Sequence, residues 1–133
     1  MKLEHIGIAV KSLETSIPLY ERLLGSPCYK REKVASEQVE TAFFLPSGGK
    51  VELLMSLDPQ GVIAKFIEKK GEGLHHIAFE VPDIFAEMER LKKEGFTLLN
   101  EIPKKGADNK LICFVHPKDT QGVLMELCQT QPI

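Results

Sequence analysis

Apolar residues along the chain follow two periods, and the pair of periods occurs twice. Apolar residues alternate at Ile6, Ile8 and Val10, as in a half-buried strand, and a 3.6-residue helical period follows over 13–24. A strand over 74–81 and a helix over 84–94 repeat this order, and a glycine follows each helix. This self-similarity predicts one supersecondary unit used twice.

Three further strands are predicted after each helix. They cover 28–36, 38–45 and 50–57 in the first half and 96–101, 111–116 and 123–128 in the second half, which gives the order βαβββ twice. The turns between these strands are short, and no GxGxxG motif opens a helix. Antiparallel hairpins are therefore favoured over a parallel Rossmann sheet.

The length of the chain sets the predicted domain organisation. With 133 residues, 43% of them hydrophobic, the chain has enough apolar surface for one compact core. We expect a single domain over 1–133, made of module one (1–57), a linker helix (58–72) and module two (73–133).

Local signals set the predicted helix ends. Ser12 and Asp83 are suited to cap the two main helices, and Gly25 and Gly95 are suited to end them. Pro18 disturbs the first helix, because proline removes a backbone hydrogen bond. The regular helix is expected either to start near Ser16 or to kink at Pro18.

Charge and cysteine usage limit the classes of partner. The formal net charge of −2 gives no long-range attraction to nucleic acid or to an anionic membrane. No apolar run approaches the roughly 20 residues of a membrane-spanning helix. We therefore expect no nucleic-acid or membrane partner. The chain has three cysteines, Cys28, Cys113 and Cys128, an odd number without metal-binding spacing, so we expect reduced thiols in a cytoplasmic protein.

Two acids stand alone inside strands that are otherwise built for burial. Glu52 lies in Val-Glu-Leu-Leu-Met and Glu126 in Val-Leu-Met-Glu-Leu-Cys. A buried carboxylate must be hydrogen-bonded, paired with a cation or bound to a metal, because an isolated one costs several kcal/mol. A salt bridge to lysine or arginine is a full alternative for either acid taken singly.

The repeat makes a metal site the stronger interpretation. His5 and His76 open the first strand of each module, and Glu52 and Glu126 lie in the last strand. A pseudo-twofold relation would bring the four side chains together, and two imidazoles with two carboxylates suit an open site for Co, Zn, Ni or Mn. His75 should point to the opposite face of its strand from His76, as a structural or supporting histidine.

These features resemble the vicinal oxygen chelate superfamily, which includes glyoxalase I, extradiol dioxygenases and antibiotic-resistance proteins. Residues 64–78, with Gly-Leu-His-His, and residues 114–127, with His-Pro-Lys and Gly-Val-Leu-Met-Glu-Leu, resemble the methylmalonyl-CoA epimerase family in particular. The likeness spans essentially the whole chain. It implies a glyoxalase-like α+β fold, in which tandem βαβββ modules form curved antiparallel sheets around a divalent metal ion.

The resemblance also implies an isomerase activity. The two epimers of methylmalonyl-CoA would interconvert by removal of the α-proton and reprotonation through a metal-stabilised enolate. Glu126 is the first choice for one base and Glu52 for the other, while Glu40 and Glu37 remain alternatives for the second base.

Further expectations concern binding and assembly. Lys118 and Lys110, with other lysines of the 104–110 loop, are candidates for the CoA phosphates, although such a run of charge is more often only a solvated surface. The superfamily resemblance implies a homodimer. Two other functions stay open: glyoxalase I (lactoylglutathione lyase) with the same metal ligands, and a metal-free small-molecule binding or resistance protein on the same fold.

Overall fold

The structure, a computed structural model, describes residues 1–132. The chain divides into two compact units. Residues 5–75 form one, called here the N-terminal unit, and residues 1–4 with 76–133 are assigned to the other, called here the C-terminal unit. The predicted order βαβββ is confirmed in both modules.

The first module has one sheet with the strand order β2-β3-β4-β1. Its elements are β1 (Lys2–Ala9), α1 (Leu13–Leu24), β2 (Cys28–Val34), a short 3-10 helix (Ala35–Glu37), β3 (Val39–Phe44) and β4 (Lys50–Ser56), followed by α2 (Val62–Lys70). The hairpins β2–β3 and β3–β4 are antiparallel, but β1 and β4 are parallel. The sheet is therefore mixed rather than wholly antiparallel, because β4 returns beside β1 by a long connection that includes α1.

Helix α1 begins where its capping residue predicts. The Ser12 hydroxyl accepts a hydrogen bond from the Thr15 amide at 3.3 Å, so the late start near Ser16 is wrong and Pro18 lies inside the helix. Gly25 ends the helix with a left-handed φ of 63° and donates its amide to the Glu21 carbonyl. The apolar face of α1 packs on the sheet in a core of Leu13, Ile17, Tyr20, Leu24, Ala42, Phe44 and Leu53.

The second module repeats this plan, with the strand order β5-β8-β7-β6. Its elements are β5 (Gly73–Glu80), α3 (Ile84–Lys93), β6 (Lys104–Lys105), β7 (Lys110–Val115), a short 3-10 helix (Pro117–Asp119) and β8 (Met125–Thr130). Strands β5 and β8 are parallel, and β6–β7 and β7–β8 are antiparallel. The Asp83 carboxylate caps α3 by accepting from the Ala86 amide at 3.1 Å, and α3 packs on a core of Val81, Ile84, Met88, Leu91, Cys113, Val115 and Leu127.

The predicted strand over 96–101 is wrong. Only Leu98 pairs there, in an isolated bridge with Val115, and regular pairing with β7 resumes at β6. The side chain of Asn100 accounts for the gap. Its oxygen accepts from the Phe114 amide at 3.2 Å and its nitrogen donates to the Ile112 carbonyl at 3.4 Å, so it occupies the β7 groups that a strand backbone would bind.

Two further features concern the cysteines and the lengths of the helices. The three cysteines are free thiols, and Cys113 and Cys128 are buried. Within residues 1–132, every helix is too short or too polar to cross a membrane.

Candidate active site

One histidine–glutamate pair lies in the N-terminal unit, on the parallel strands β1 and β4. His5 Nε2 is 3.8 Å from Glu52 Oε1, and each residue is 5% exposed. In the register of the two strands, Glu52 is opposite Gly7, two residues after the histidine. Strand alternation places both side chains on the face of the sheet that is turned away from α1.

A second pair lies in the C-terminal unit, on the parallel strands β5 and β8. His76 Nε2 is 3.4 Å from Glu126 Oε1, and both residues are buried. Glu126 is opposite Ala78, again two residues after the histidine. The two pairs therefore occupy equivalent register positions in their modules, as the sequence repeat predicts.

The chemistry of each pair fits a divalent metal ion. The two nitrogen–oxygen distances are longer than a direct hydrogen bond. The 3.4 Å of the second pair suits two ligands of one ion, because bonds of about 2.1 Å hold neighbouring ligands roughly 3 to 3.5 Å apart. The 3.8 Å of the first pair is slightly longer than this range. Imidazole and carboxylate are ligands that Zn, Co, Ni and Mn accept.

His75 occupies a different environment from its neighbour His76. Its ring meets the Phe66 ring of α2 edge to face, with centroids 4.8 Å apart. Burial, with a smaller effect of Lys70, lowers the pKa of His75 to about 4. The ring is thus uncharged at neutral pH and packs against α2, which agrees with the structural role expected for it.

Glu40, an alternative for the second base, faces the wrong way. On β3 it lies opposite Met55, whereas Glu52 lies opposite Phe43, so the two acids point to opposite faces of the sheet. Arg31 donates to the Glu40 carboxylate at 2.9 Å and also contacts Glu14 of α1 at 3.1 Å. Glu40 therefore belongs to an ion-pair network on the α1 side. Glu37 lies in the 3-10 helix outside the strands.

The two lysines expected to bind substrate differ in their surroundings. Lys110 is buried, and its ammonium donates to Glu80 at 3.1 Å and to the Thr130 hydroxyl at 2.7 Å. This ammonium serves an internal ion pair and does not reach outward to a phosphate. Lys118 is exposed in the 3-10 helix before β8, and its backbone amide donates to His116 Nδ1 at 3.1 Å. Lys104, also exposed, lies 5.9 Å from the centre of the Phe114 ring.

A lysine that the sequence reasoning did not single out shares the face of Glu52. Lys50 opens β4, two residues before Glu52, and is 8% exposed. Its ammonium lies 5.3 Å from the centre of the Phe43 ring. The period of two along the strand was the available signal, since it puts Lys50 and Glu52 on one face.

The family follows from comparison of the whole sequence. The sequence model of the Glyoxalase/Bleomycin resistance protein/Dioxygenase superfamily matches residues 4–114. The chain belongs to this superfamily. Several members of this superfamily that are similar to this chain in sequence or structure are named as epimerases.

Three of them are informative. The chain is 39% identical over 130 residues to the ethylmalonyl-CoA/methylmalonyl-CoA epimerase of Cereibacter sphaeroides. The matched region covers 96% of this chain and 97% of that protein. The crystal structure of methylmalonyl-CoA epimerase from Mycobacterium tuberculosis matches with a TM-score of 0.93 at 36% identity, over 98% of this chain and 89% of the other. A methylmalonyl-CoA epimerase in complex with methylmalonyl-CoA and NH4+ matches with a TM-score of 0.91 at 30% identity, over 99% and 96%.

Proposed function

We propose that the protein is a methylmalonyl-CoA epimerase, an isomerase that interconverts the two epimers of this thioester. The observation that supports the proposal is the presence of two buried histidine–glutamate pairs, which occupy equivalent positions in the strand registers of the two modules. They occur in a chain that is 39% identical to a named epimerase over almost its entire length.

We propose further that His5, Glu52, His76 and Glu126 together bind one divalent ion of Co, Zn, Ni or Mn. The equivalent register of the two pairs and the burial of all four side chains support a shared ion. When bound, such an ion supplies Lewis-acid polarisation of the substrate carbonyl, which makes the α-proton more acidic.

Glu126 and Glu52 are the proposed proton-transfer groups. Epimerisation needs one base to remove the α-proton and a second acid to return a proton on the other face of the planar intermediate. A carboxylate offers two oxygens, so one remains for the proton while the other holds the metal. Glu52 is favoured over Glu40 as the second group, because only Glu52 shares the face of a candidate ligand histidine.

The stoichiometry of the metal tests the shared site. Wild-type protein should hold one ion per chain by elemental analysis, and His5→Ala and His76→Ala should each abolish tight binding. If each pair held its own ion, wild-type protein would carry two ions and each variant would keep one. Wild-type protein that holds no ion when purified without chelator would instead favour a metal-free binding protein.

A comparison of two substrates tests the reaction. A single epimer of methylmalonyl-CoA should reach the equilibrium mixture with the metal-loaded protein, and the glutathione–methylglyoxal hemithioacetal should remain unchanged. The reverse result would replace the epimerase with glyoxalase I, which would use the same four ligand types.

Binding of the CoA portion is proposed for exposed lysines. Lys118 and Lys104 are exposed and suited to the CoA phosphates, whereas Lys110 is omitted because its ammonium is already bound to Glu80 and Thr130. Lysine binds phosphate as a point charge, and its flexible stem lets the ammonium adapt to the position of the phosphate.

The proposal includes a cytoplasmic homodimer, in accord with the superfamily resemblance and with free thiols. Light scattering of the purified protein should give twice the chain mass of 14.9 kDa. A mass of one chain at micromolar concentration would contradict the dimer without affecting the proposed reaction.

A further inference from the structure

A row of three side chains crosses one face of the sheet in the C-terminal unit. Strand β8 lies between β5 and β7, and in the register of these strands Glu126 is opposite both Ala78 and Phe114. The rings of His76 and Phe114 meet edge to face, with centroids 6.1 Å apart and planes at 84°. Aromatic rings prefer this arrangement over a face-to-face stack. Phe114 therefore contacts the imidazole whose Nε2 lies 3.4 Å from Glu126 Oε1.

The backbone of Phe114 shows how close its side chain comes to Glu126. Its amide donates to the side-chain oxygen of Asn100 at 3.2 Å, and its carbonyl accepts from the Leu99 amide at 2.8 Å. Both groups thus point away from β8, so Phe114 and Glu126 form a non-hydrogen-bonded pair of the antiparallel ladder. In such a pair the Cα atoms are only about 4.5 Å apart and the side chains are at their closest. The phenyl ring is therefore next to both members of the His76–Glu126 pair.

The other neighbours of the Phe114 ring restrain it. The ring packs against the buried apolar residues of this face, Ala78, Ile112 and Cys128. The Lys104 ammonium lies 5.9 Å from the ring centre, within the range of a cation–π contact. A ring with these neighbours has little freedom to turn away from His76.

We propose that Phe114 is a positioning residue of the proposed metal site, which holds the His76 imidazole with its Nε2 turned toward Glu126 before an ion binds. An imidazole can turn about two side-chain bonds, and a ligand that is already oriented loses less conformational entropy on binding. Contacts behind a ligating histidine tune metal affinity, and Phe114 adds one through the edge of its ring. The inference rests on the proposed function and adds to it a residue that acts through a metal ligand and not on the substrate.

Metal affinity tests the inference without relying on turnover. Protein stripped of metal by chelator is titrated with Co²⁺, and binding is followed by calorimetry and by the visible absorption of the bound ion. Phe114→Leu keeps an apolar side chain but removes the ring, so it should weaken Co²⁺ binding roughly threefold to tenfold, the range that one aromatic contact supplies. The absorption bands of bound Co²⁺ should change as well, because a less restrained His76 alters the coordination geometry.

Two further variants separate positioning from a general loss of packing. Phe114→Tyr keeps the ring edge and should bind Co²⁺ with close to the wild-type affinity and spectrum. Phe96→Leu makes the same substitution at a partly buried position that packs on the α3 core. It should lower the thermal stability of the metal-free protein to a similar extent as Phe114→Leu, and it should leave Co²⁺ affinity unchanged.

Three results would overturn the inference. Wild-type affinity and spectrum in Phe114→Leu would show that the ring does not orient His76. An equal loss of affinity in Phe96→Leu would assign the effect to packing, and an equal loss in Phe114→Tyr would show that the ring does not hold the imidazole. In each case a wild-type protein that binds one ion per chain and equilibrates methylmalonyl-CoA leaves the proposed function intact. Wild-type protein that binds no Co²⁺ would contradict the proposed metal site itself, and the inference with it.

Discussion

Glu52 and Glu126 were identifiable from the sequence because each is the single charge in a strand of apolar residues. The histidines gained meaning only from the repeat, which pairs each of them with one acid. The burial of Lys50 could not be predicted from the sequence, since a lysine at the start of a strand is ordinarily exposed. Its contact with Phe43 depends on the pairing of β3 with β4. The burial of Lys110 has no sequence signal for the same reason, because its partners Glu80 and Thr130 are distant in sequence.

Replacement of Lys118 should affect binding and not chemistry. The turn that carries Lys118 is held by hydrogen bonds from backbone amides, including one that the Thr97 amide donates to the Asp119 carboxylate at 2.7 Å. Lys118→Ala should therefore raise KM for methylmalonyl-CoA severalfold with kcat little changed. Lys93→Ala, at an exposed position of α3, is the matched control. A fall in kcat at constant KM would contradict a binding role.

The cysteines should differ in reactivity. Burial raises the pKa of the Cys113 thiol to about 11 and raises the pKa of Cys128 further, while Cys28 is half-buried. At pH 8, only about one in a thousand thiols with a pKa near 11 is in the reactive thiolate form.

Titration with an aromatic disulfide reagent should thus find at most one fast thiol in native protein and three in guanidinium. Cys28→Ser should abolish the fast reaction. Two or more fast thiols in the native wild type would show that Cys113 or Cys128 is accessible.

Among the helices and strands, the helices, with their strong 3.6-residue period, were predicted well. The strand over 96–101, with weak alternation of apolar residues, was predicted wrongly. Helix α1 matches its predicted bounds because cap, apolar stripe and terminal glycine agree. The segment 96–101 has the composition of a strand, but the Asn100 side chain takes the β7 groups that a strand would use. The pattern of hydrophobic residues cannot show that a side chain will take the place of backbone pairing.

The ends of β5, β7 and β8 are joined by one polar network. The Glu80 carboxylate accepts from the Lys110 ammonium at 3.1 Å, from the Thr130 amide at 2.9 Å and from its hydroxyl at 3.0 Å. Glu80 lies on the same face of β5 as His76, two strand repeats away, so the network fixes the register that places His76 beside Glu126.

Disruption of this network should lower stability. Lys110→Met should reduce the free energy of unfolding by about 1 to 3 kcal/mol, because it leaves the Glu80 carboxylate without its cation in a partly buried place. Adding Glu80→Gln should recover part of the loss, which a double-mutant cycle in denaturant would reveal. Additive effects of the two changes would contradict a direct interaction.

The whole molecule is organised by the repeat. Both modules place an acid of the last strand opposite the second residue after a histidine of the first strand. This correspondence was predictable, since it follows from matching sequence segments. The division into units was not, because residues 1–4, which include the start of β1, are assigned to the unit of 76–133 and not to the unit that holds the rest of the strand.

Exchange of the α-proton of methylmalonyl-CoA with deuterium from solvent tests the central claim most directly. Metal-loaded wild-type protein should introduce deuterium at the α-carbon, and Glu126→Gln should do so at least about a hundredfold more slowly, since the change removes a positioned base. Glu40→Gln, at the acid on the opposite face, should exchange at close to the wild-type rate. A wild-type protein that exchanges no α-proton yet isomerises the glutathione–methylglyoxal hemithioacetal would contradict the epimerase reaction. A Glu126→Gln variant with the wild-type exchange rate would contradict the role of Glu126 as a base.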